Sequence, residues 1–271
     1  MSSLPRANKN LGQHFLRSEK IIQSICSDFA GKGKYLLEVG PGPGILTERL
    51  SWHPIPLQVI EKDSRFLEEL KPILTGDQIL FCDALEVELS DYLNSMGWEE
   101  DVWLVSNLPY NVSTPLIVKF LRAPQIRYMT LMMQKEVGEK IYDWTGTDNP
   151  KQRGSLMDLC QAYFDIKLKC PVPPGAFVPP PKVDSVVLSF ERKEDPDVPL
   201  GNIDMYESFL RTLYSKRRKQ LGNVLKESYS KPRLEQALAK IDKTLQHRAE
   251  SLSHFEVVEL FKELVFNTIQ E

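Results

Sequence analysis

Tyr35-Leu36-Leu37-Glu38-Val39-Gly40-Pro41-Gly42-Pro43-Gly44 is a short apolar run that stops on alternating glycines. Such a run reads as a buried strand followed by a sharp turn. Glycine suits that turn because it enters conformations closed to other residues and lets backbone approach a ligand closely. Outward from this stretch the pattern repeats. Apolar runs follow at residues 57–61, 79–83, 102–106 and 129–133, with helical stretches at 64–74 and 114–121 between them. Strands alternating with helices predict an α/β fold, a parallel sheet covered by helices. Two further strands are expected at 164–169 and 186–190. In sheets of this kind ligands bind beyond the carboxyl ends of the strands.

The pattern breaks at residues 193–202, where Pro196, Pro199 and Gly201 interrupt it. Beyond them apolar residues recur at helical spacing, as in Phe209, Leu210 and Leu213, then Val257, Val258, Leu260, Phe261 and Leu264. Two domains are expected: 1–195, Rossmann-like, and 196–271, small and α-helical. Composition excludes several classes. At 42% hydrophobic and 26% charged residues the chain is an ordinary globular one rather than disordered. Cys26, Cys82, Cys160 and Cys170 are scattered, and neither C-x-x-C nor H-E-x-x-H occurs, so no metal site and no disulfide framework is expected. No apolar stretch is long enough to span a bilayer, and the first ten residues are polar. A cytoplasmic protein is expected. The net charge of −3 does not announce a nucleic-acid ligand, but charge is uneven, with a basic cluster at Lys216-Arg217-Arg218-Lys219.

Two carboxylates narrow the ligand. Glu61 closes the second strand, where an acidic side chain can accept from both hydroxyls of a ribose. Asp83 follows the third and is placed to accept from an adenine amino group. Singly, each is more often a solvated strand-end carboxylate than a ligand contact; together, after successive strands, they point to a nucleoside. No Lys-Ser/Thr follows the glycines, and G-x-G-x-G departs from the dinucleotide spacing. An adenosine-containing cofactor without pyrophosphate fits best.

After the fourth strand stands Asn107-Leu108-Pro109-Tyr110. An adenine amine is a poor nucleophile, because its lone pair is delocalised into the ring. Two acceptors holding both amino hydrogens favour a lone pair on nitrogen, and the Asn107 side-chain carbonyl and the Leu108 backbone carbonyl suit that task. Pro109 restricts Leu108 to extended geometry, which fixes where its carbonyl points. Tyr110 can stack on a base taken out of its helix. The plainer reading is an Asn-x-Pro turn followed by a core tyrosine. The preceding strand and the glycine loop favour the functional one.

Five segments occur in order: residues 11–16 (LGQHFL), Glu38 to Gly44, Asn107 to Tyr110, 134–137 (QKEV) and 177–185 (FVPPPKVDS). Together they resemble the ribosomal RNA small-subunit adenine dimethyltransferase family, KsgA type, over nearly the whole chain. That resemblance implies a class I methyltransferase domain using S-adenosyl-L-methionine. The reaction it implies is two methyl transfers to each of two adjacent adenines near the 3′ end of small-subunit (16S) ribosomal RNA, in an immature particle. Nothing in the sequence suggests an obligate oligomer, so a monomer is expected. The resemblance also implies that His14, Leu16, Gly40, Glu61, Asp83 and Asn107 line the cofactor. Asn107, Leu108, Pro109 and Tyr110 would face the target, and Phe177 would stack on the base opposite Tyr110. His14 stands where asparagine is frequent in the family. A large-subunit RNA methyltransferase is the enzymatic rival, although that group typically has isoleucine where Leu108 stands. A ribosome assembly factor acting by binding is the rival from another class. Lys216 to Lys219, beside a helical domain, is expected to contact phosphates.

Overall fold

In a computed structural model, residues 14–144, 153–216 and 218–266 of the chain are described. The strands run β1 (Phe15–Leu16), β2 (Tyr35–Val39), β3 (Leu57–Glu61), β4 (Ile79–Phe81), β5 (Val102–Asn107), β6 (Ile126–Gln134), β7 (Phe164–Val172), β8 (Phe177–Val178) and β9 (Ser185–Arg192). Seven form one sheet in the order β4-β3-β2-β5-β6-β9-β7, while β1 and β8 pair separately. From β4 to β6 neighbouring strands are parallel; β9 enters antiparallel to β6. The chain builds outward from β2 in one direction, then returns to its other side with β5. That reversal opens a crevice beyond the carboxyl ends of β2 and β5, where Gly40 and Asn107 lie.

Central strands of such a sheet are covered on both faces and therefore read as continuous apolar runs. Leu36, Leu37 and every residue from Val102 to Val105 are fully buried. The Trp103 indole donates to Thr130 Oγ1 at 3.0 Å, and Thr130 Oγ1 donates in turn to Asp28 Oδ2 at 2.9 Å. Lys169 completes the group, with Nζ 2.8 Å from Asp28 Oδ1. A wholly buried indole N–H thus has its acceptor. Nearby, the Arg192 guanidinium donates to the carbonyls of Leu121, Ala123 and Ile126 at 2.7–3.1 Å. It satisfies groups left open where the helix Ser113–Leu121 ends.

The strands expected at 129–133, 164–169 and 186–190 run longer, as β6, β7 and β9, and two other expected elements fall short. The helix expected over 64–74 is a 3-10 turn, Ser64–Phe66, running into a short α-helix, Leu67–Leu70. Asp63 initiates the tighter turn by accepting from the Arg65 backbone N–H at 3.2 Å. The strand expected over 79–83 ends at Phe81, because the Asp83 side chain accepts from the Leu85 N–H at 3.0 Å and turns the chain.

The glycine turn uses left-handed backbone, with φ of +72° at Gly40, +56° at Gly42 and +83° at Gly44. A Cβ on Gly44 would lie 2.8 Å from Ile73 Cδ1 and 3.3 Å from Leu70 Cδ2. Gly44→Ala is therefore expected to destabilise the protein by about 1–2 kcal/mol, the usual cost of left-handed backbone for an L-residue. Thermal unfolding reads this directly; an unchanged Tm would mean that the turn relaxes without strain.

Two compact units emerge: one comprises residues up to Gly138 together with Ile166–Arg192, the other Glu139–Asp165 and the chain from Lys193 onward. The second unit thus takes up a segment inserted between β6 and β7 as well as the C-terminal helices. Its helices include Ser155–Tyr163, Ile203–Leu213, Lys231–Lys240 and His254–Phe261. Ile203, Tyr206, Phe209, Leu210 and Leu213 form the buried stripe of Ile203–Leu213, at the spacing of an amphipathic helix. Buried Asp158 accepts from the Tyr214 hydroxyl at 2.6 Å and lies 2.9 Å from His254 Nδ1. Ser253 and Glu256 cap each other's backbone at the start of the last of these helices. Lys216, Arg218 and Lys219 are exposed in a turn after Ile203–Leu213 rather than on a helix; Arg217 lies outside the described residues. No helix among the described residues is long and apolar enough to cross a membrane.

Candidate active site

A cavity of about 170 Å³ opens at the crevice between β2 and β5. Its lining includes His14, Leu16, Gly40, Glu61, Asp83, Asn107, Leu108, Pro109 and Tyr110. Residues separated by nearly a hundred positions are thus gathered into one space. Phe177 is not in the lining: it is buried, it pairs with Leu16 across β1 and β8, and its ring meets His14 edge-on at 6.5 Å. Leu11, Gly12 and Gln13 of the N-terminal arm, residues 11–16, lie outside the described residues.

Glu61 is the structural pin of the glycine turn. Its Oε2 accepts from the Gly42 N–H at 2.9 Å and its Oε1 from the Asp63 N–H at 2.6 Å. The Lys62 backbone N–H also bonds this carboxylate, and the acceptor capacity beyond these donors is left for a ligand. Burial raises the Glu61 pKa, and the backbone N–H groups of Asp63 and Gly42 oppose that rise. Asp83 Oδ2 accepts from Lys62 Nζ at 2.6 Å. That contact, followed by the Leu85 N–H, lowers the Asp83 pKa and keeps it ionised.

Glu38 was quoted in the glycine motif without a role, yet it is wholly buried and lines the cavity. Its Oε2 accepts from Thr47 Oγ1 at 2.7 Å. Burial pushes its carboxyl up to about 8; the Thr47 hydroxyl works against the rise and Glu61 adds to it. The sign of the consequence follows from linkage. Folded Glu38 holds its proton up to about pH 8, whereas the unfolded chain releases it near 4.5. Its contribution to stability is therefore complete below about 4.5 and is lost as pH rises towards 8. Glu38→Gln, which cannot ionise, is expected to gain Tm relative to the parent between pH 5 and pH 8. Parallel melting curves that keep the same separation at both pH values would contradict this.

Asn107 is the last residue of β5, and its amide has a fixed direction. Nδ2 donates to the His14 carbonyl at 3.2 Å, which turns the acceptor oxygen away from that bond. The Leu108 N–H donates to the Met132 carbonyl at 2.9 Å, and the Leu108 side chain is buried. This anchors the peptide that carries the second acceptor. Tyr110 shares a 2.8 Å hydrogen bond with Ser185 Oγ, and its ring stacks on His14 at 5.4 Å and 29°. Burial raises its phenol pKa, opposed by the Ser185 contact. His14 Nδ1 lies 2.9 Å from the Pro179 carbonyl. A carbonyl only accepts, so Nδ1 carries the proton.

Phe66, Ile60 and Ala84 also line the cavity and were not singled out in the sequence. Ile60 and Ala84 each adjoin a carboxylate that was, and adjacency was the available signal. Phe66 sits in the 3-10 turn that replaces the expected helix start, so helical periodicity hid it. Among the described residues Lys62 is the one Lys or Arg in the lining, and it is tied to Asp83. Glu61 and Asp83 against one engaged lysine, with Glu38 protonated behind them, suit a cationic nucleoside and not a pyrophosphate.

A family model described as ribosomal RNA adenine dimethylase matches residues 5–265. Curated relatives named ribosomal RNA small subunit methyltransferase A include one from Geobacter metallireducens, 38% identical and covering 92% of each chain. Another, from Clostridium acetobutylicum, is 35% identical over 96% of this chain and 94% of its own. Among solved structures, a dimethyladenosine transferase from Plasmodium falciparum superposes with a TM-score of 0.72 at 25% identity, covering 94% of this chain and 98% of that one.

Proposed function

The chain belongs to the ribosomal RNA adenine dimethylase family, and we propose from that premise and the cavity's geometry how its own residues perform the reaction. It is an S-adenosylmethionine-dependent methyltransferase that dimethylates adenine in small-subunit ribosomal RNA. The cavity fits this cofactor. Gly40 has no atom within 4 Å of where a Cβ would stand and thus leaves a cradle. Glu61 would hold the ribose hydroxyls, Asp83 the adenine amino group, and Ile60, Phe66 and Ala84 the faces of the base. Leu16 and His14 would close the arm side, with Glu38 and Gly40 at the methionine end. When bound, the cofactor supplies a methyl group already activated on a positively charged sulfur.

The remaining task falls to residues 107–110. Asn107 Oδ1 and the Leu108 carbonyl accept the two amino hydrogens of the target adenine, which directs the nitrogen lone pair into the cavity. Tyr110 supports the face of the base. No strong base is needed beforehand, because the amine becomes acidic as it is alkylated. Alignment at roughly 3–3.5 Å approach is what the protein provides. One observation carries this reading: the Asn107 amide nitrogen is held by the His14 carbonyl, so its oxygen is the end presented to a substrate.

We also propose that the targets are two adjacent adenines near the RNA 3′ end, met in an immature particle during ribosome assembly. The enzyme acts as a monomer in the cytoplasm, and Lys216, Arg218 and Lys219 of a region spanning 196–271 contact phosphates. The test supplies methyl-labelled S-adenosylmethionine with immature small subunits, mature small subunits, large subunits, naked RNA or DNA. Dimethyladenosine near the 3′ end of small-subunit RNA, formed fastest in the immature particle, is expected. Label confined to large-subunit RNA or DNA would overturn the substrate assignment.

A further inference from the structure

Residues 177–185 form a conspicuous motif that lies outside the cavity lining. Its last member, Ser185, opens β9 and is buried. The strand register sets Ser185 opposite Gln134, the last residue of β6, and the Lys135 N–H donates to the Asp184 carbonyl at 2.9 Å. Ser185 is thus clamped by backbone on a rigid element, yet its hydroxyl reaches Tyr110 at 2.8 Å. A phenol ring rotates about a broad, shallow torsion, and stacking on a base requires one plane. The phenol oxygen lies on the axis of that torsion, so its hydrogen bond to a residue clamped by backbone fixes where the far end of the ring stands, while the His14 ring packed on its face sets the plane.

We propose that Ser185 is a positioning residue for methyl transfer: through its hydroxyl it holds the far end of the Tyr110 ring in the place where that ring receives the target adenine. This rests on the stacking role of Tyr110 argued above. Ser185 lies outside the cavity lining, so it acts through Tyr110 and not on cofactor or base. The other end of the motif is tied in as well, since the Pro179 carbonyl accepts from His14, whose ring packs on Tyr110. The strand therefore fixes the ring at its hydroxyl, while the arm braces its face.

The test is a double-mutant cycle on turnover of small-subunit particles, with cofactor affinity measured alongside. Removing a single side-chain hydrogen bond should lower kcat about five- to tenfold. Ser185→Ala should do this while leaving the Kd for S-adenosylmethionine within twofold. Tyr110→Phe should lose a similar factor, and the double variant should be no slower than either single one. Ser185→Thr, which keeps the hydroxyl and suits a strand, should recover most of the rate. Multiplying losses in the double variant, or full turnover in Ser185→Ala, would overturn the proposal. Tyr110→Ala separates it from its premise. If that variant keeps normal turnover, the stacking role itself fails; if it is slow while Ser185→Ala is normal, only the role of Ser185 fails. Should Ser185→Ala not fold, Tyr110→Phe alone decides, because an undiminished kcat there leaves the hydroxyl contact without a function.

Discussion

Asn107→Ala is expected to slow methyl transfer by at least about 10²-fold, with the affinity for S-adenosylmethionine little changed. The size follows from geometry. A misplacement of about 1 Å at a reacting centre can cost on the order of 10²-fold, and here the substitution removes one of two acceptors that orient a weak nucleophile. It also releases the His14 carbonyl, which accepts from Asn107 at 3.2 Å. The arm and the tetrapeptide thereby lose a link as well as an acceptor. Leu108 and Pro109 remain, and the Leu108 N–H bond to Met132 at 2.9 Å keeps the second carbonyl in place, so residual activity is expected rather than none. Single-turnover rates with labelled cofactor, beside equilibrium binding, separate the two effects. Near-normal turnover in Asn107→Ala would remove the amide from the mechanism.

Glu61→Gln is expected to weaken cofactor binding by about one to two decades, the loss of one charge-assisted hydrogen bond worth about 1.5–3 kcal/mol. The isosteric amide keeps shape but replaces one acceptor with a donor. One of the N–H groups of Gly42 and Asp63, now accepted at 2.9 and 2.6 Å, is then left facing another donor. The glycine turn should loosen, and Tm should fall together with affinity. Acidification should act in the same direction. Because burial raises the Glu61 pKa, the charge that receives the ribose is lost at a higher pH than for an ordinary glutamate. Isothermal titration at falling pH should show affinity declining earlier in the parent than in Glu61→Gln, whose dependence should be flatter. Equal affinity of the two proteins at neutral pH would place the ribose elsewhere.

How much of this was legible in the residues depended on burial. β2 and β3 emerge with the expected bounds, because strands covered on both faces show as unbroken apolar runs. The carboxylates and the tetrapeptide were legible for a related reason: polar residues directly after buried strands stand out. Elements governed by tertiary contact were not. β1 and β8 have two residues each and carry no periodicity, so the arm's pairing of Phe15 with Val178 could not be read. Phe177 was expected at the substrate through resemblance, yet the same pairing buries it against Leu16 and His14. The inserted segment 139–165 carries a helix, Ser155–Tyr163, whose buried Asp158 finds partners in Tyr214 and His254 far along the chain. No local pattern encodes such distant pairs. Glu38 looked like a strand residue before a glycine; only the fold places its carboxyl within the cavity.

A crystal structure of the protein with S-adenosylhomocysteine and adenosine tests the central claim most directly. The adenosine N6 is expected within hydrogen-bonding distance of both Asn107 Oδ1 and the Leu108 carbonyl, with the base against Tyr110 and the N6 directed towards the cofactor sulfur. An N6 turned away from residues 107–110, with cofactor bound beside Gly40 and Glu61, would contradict it.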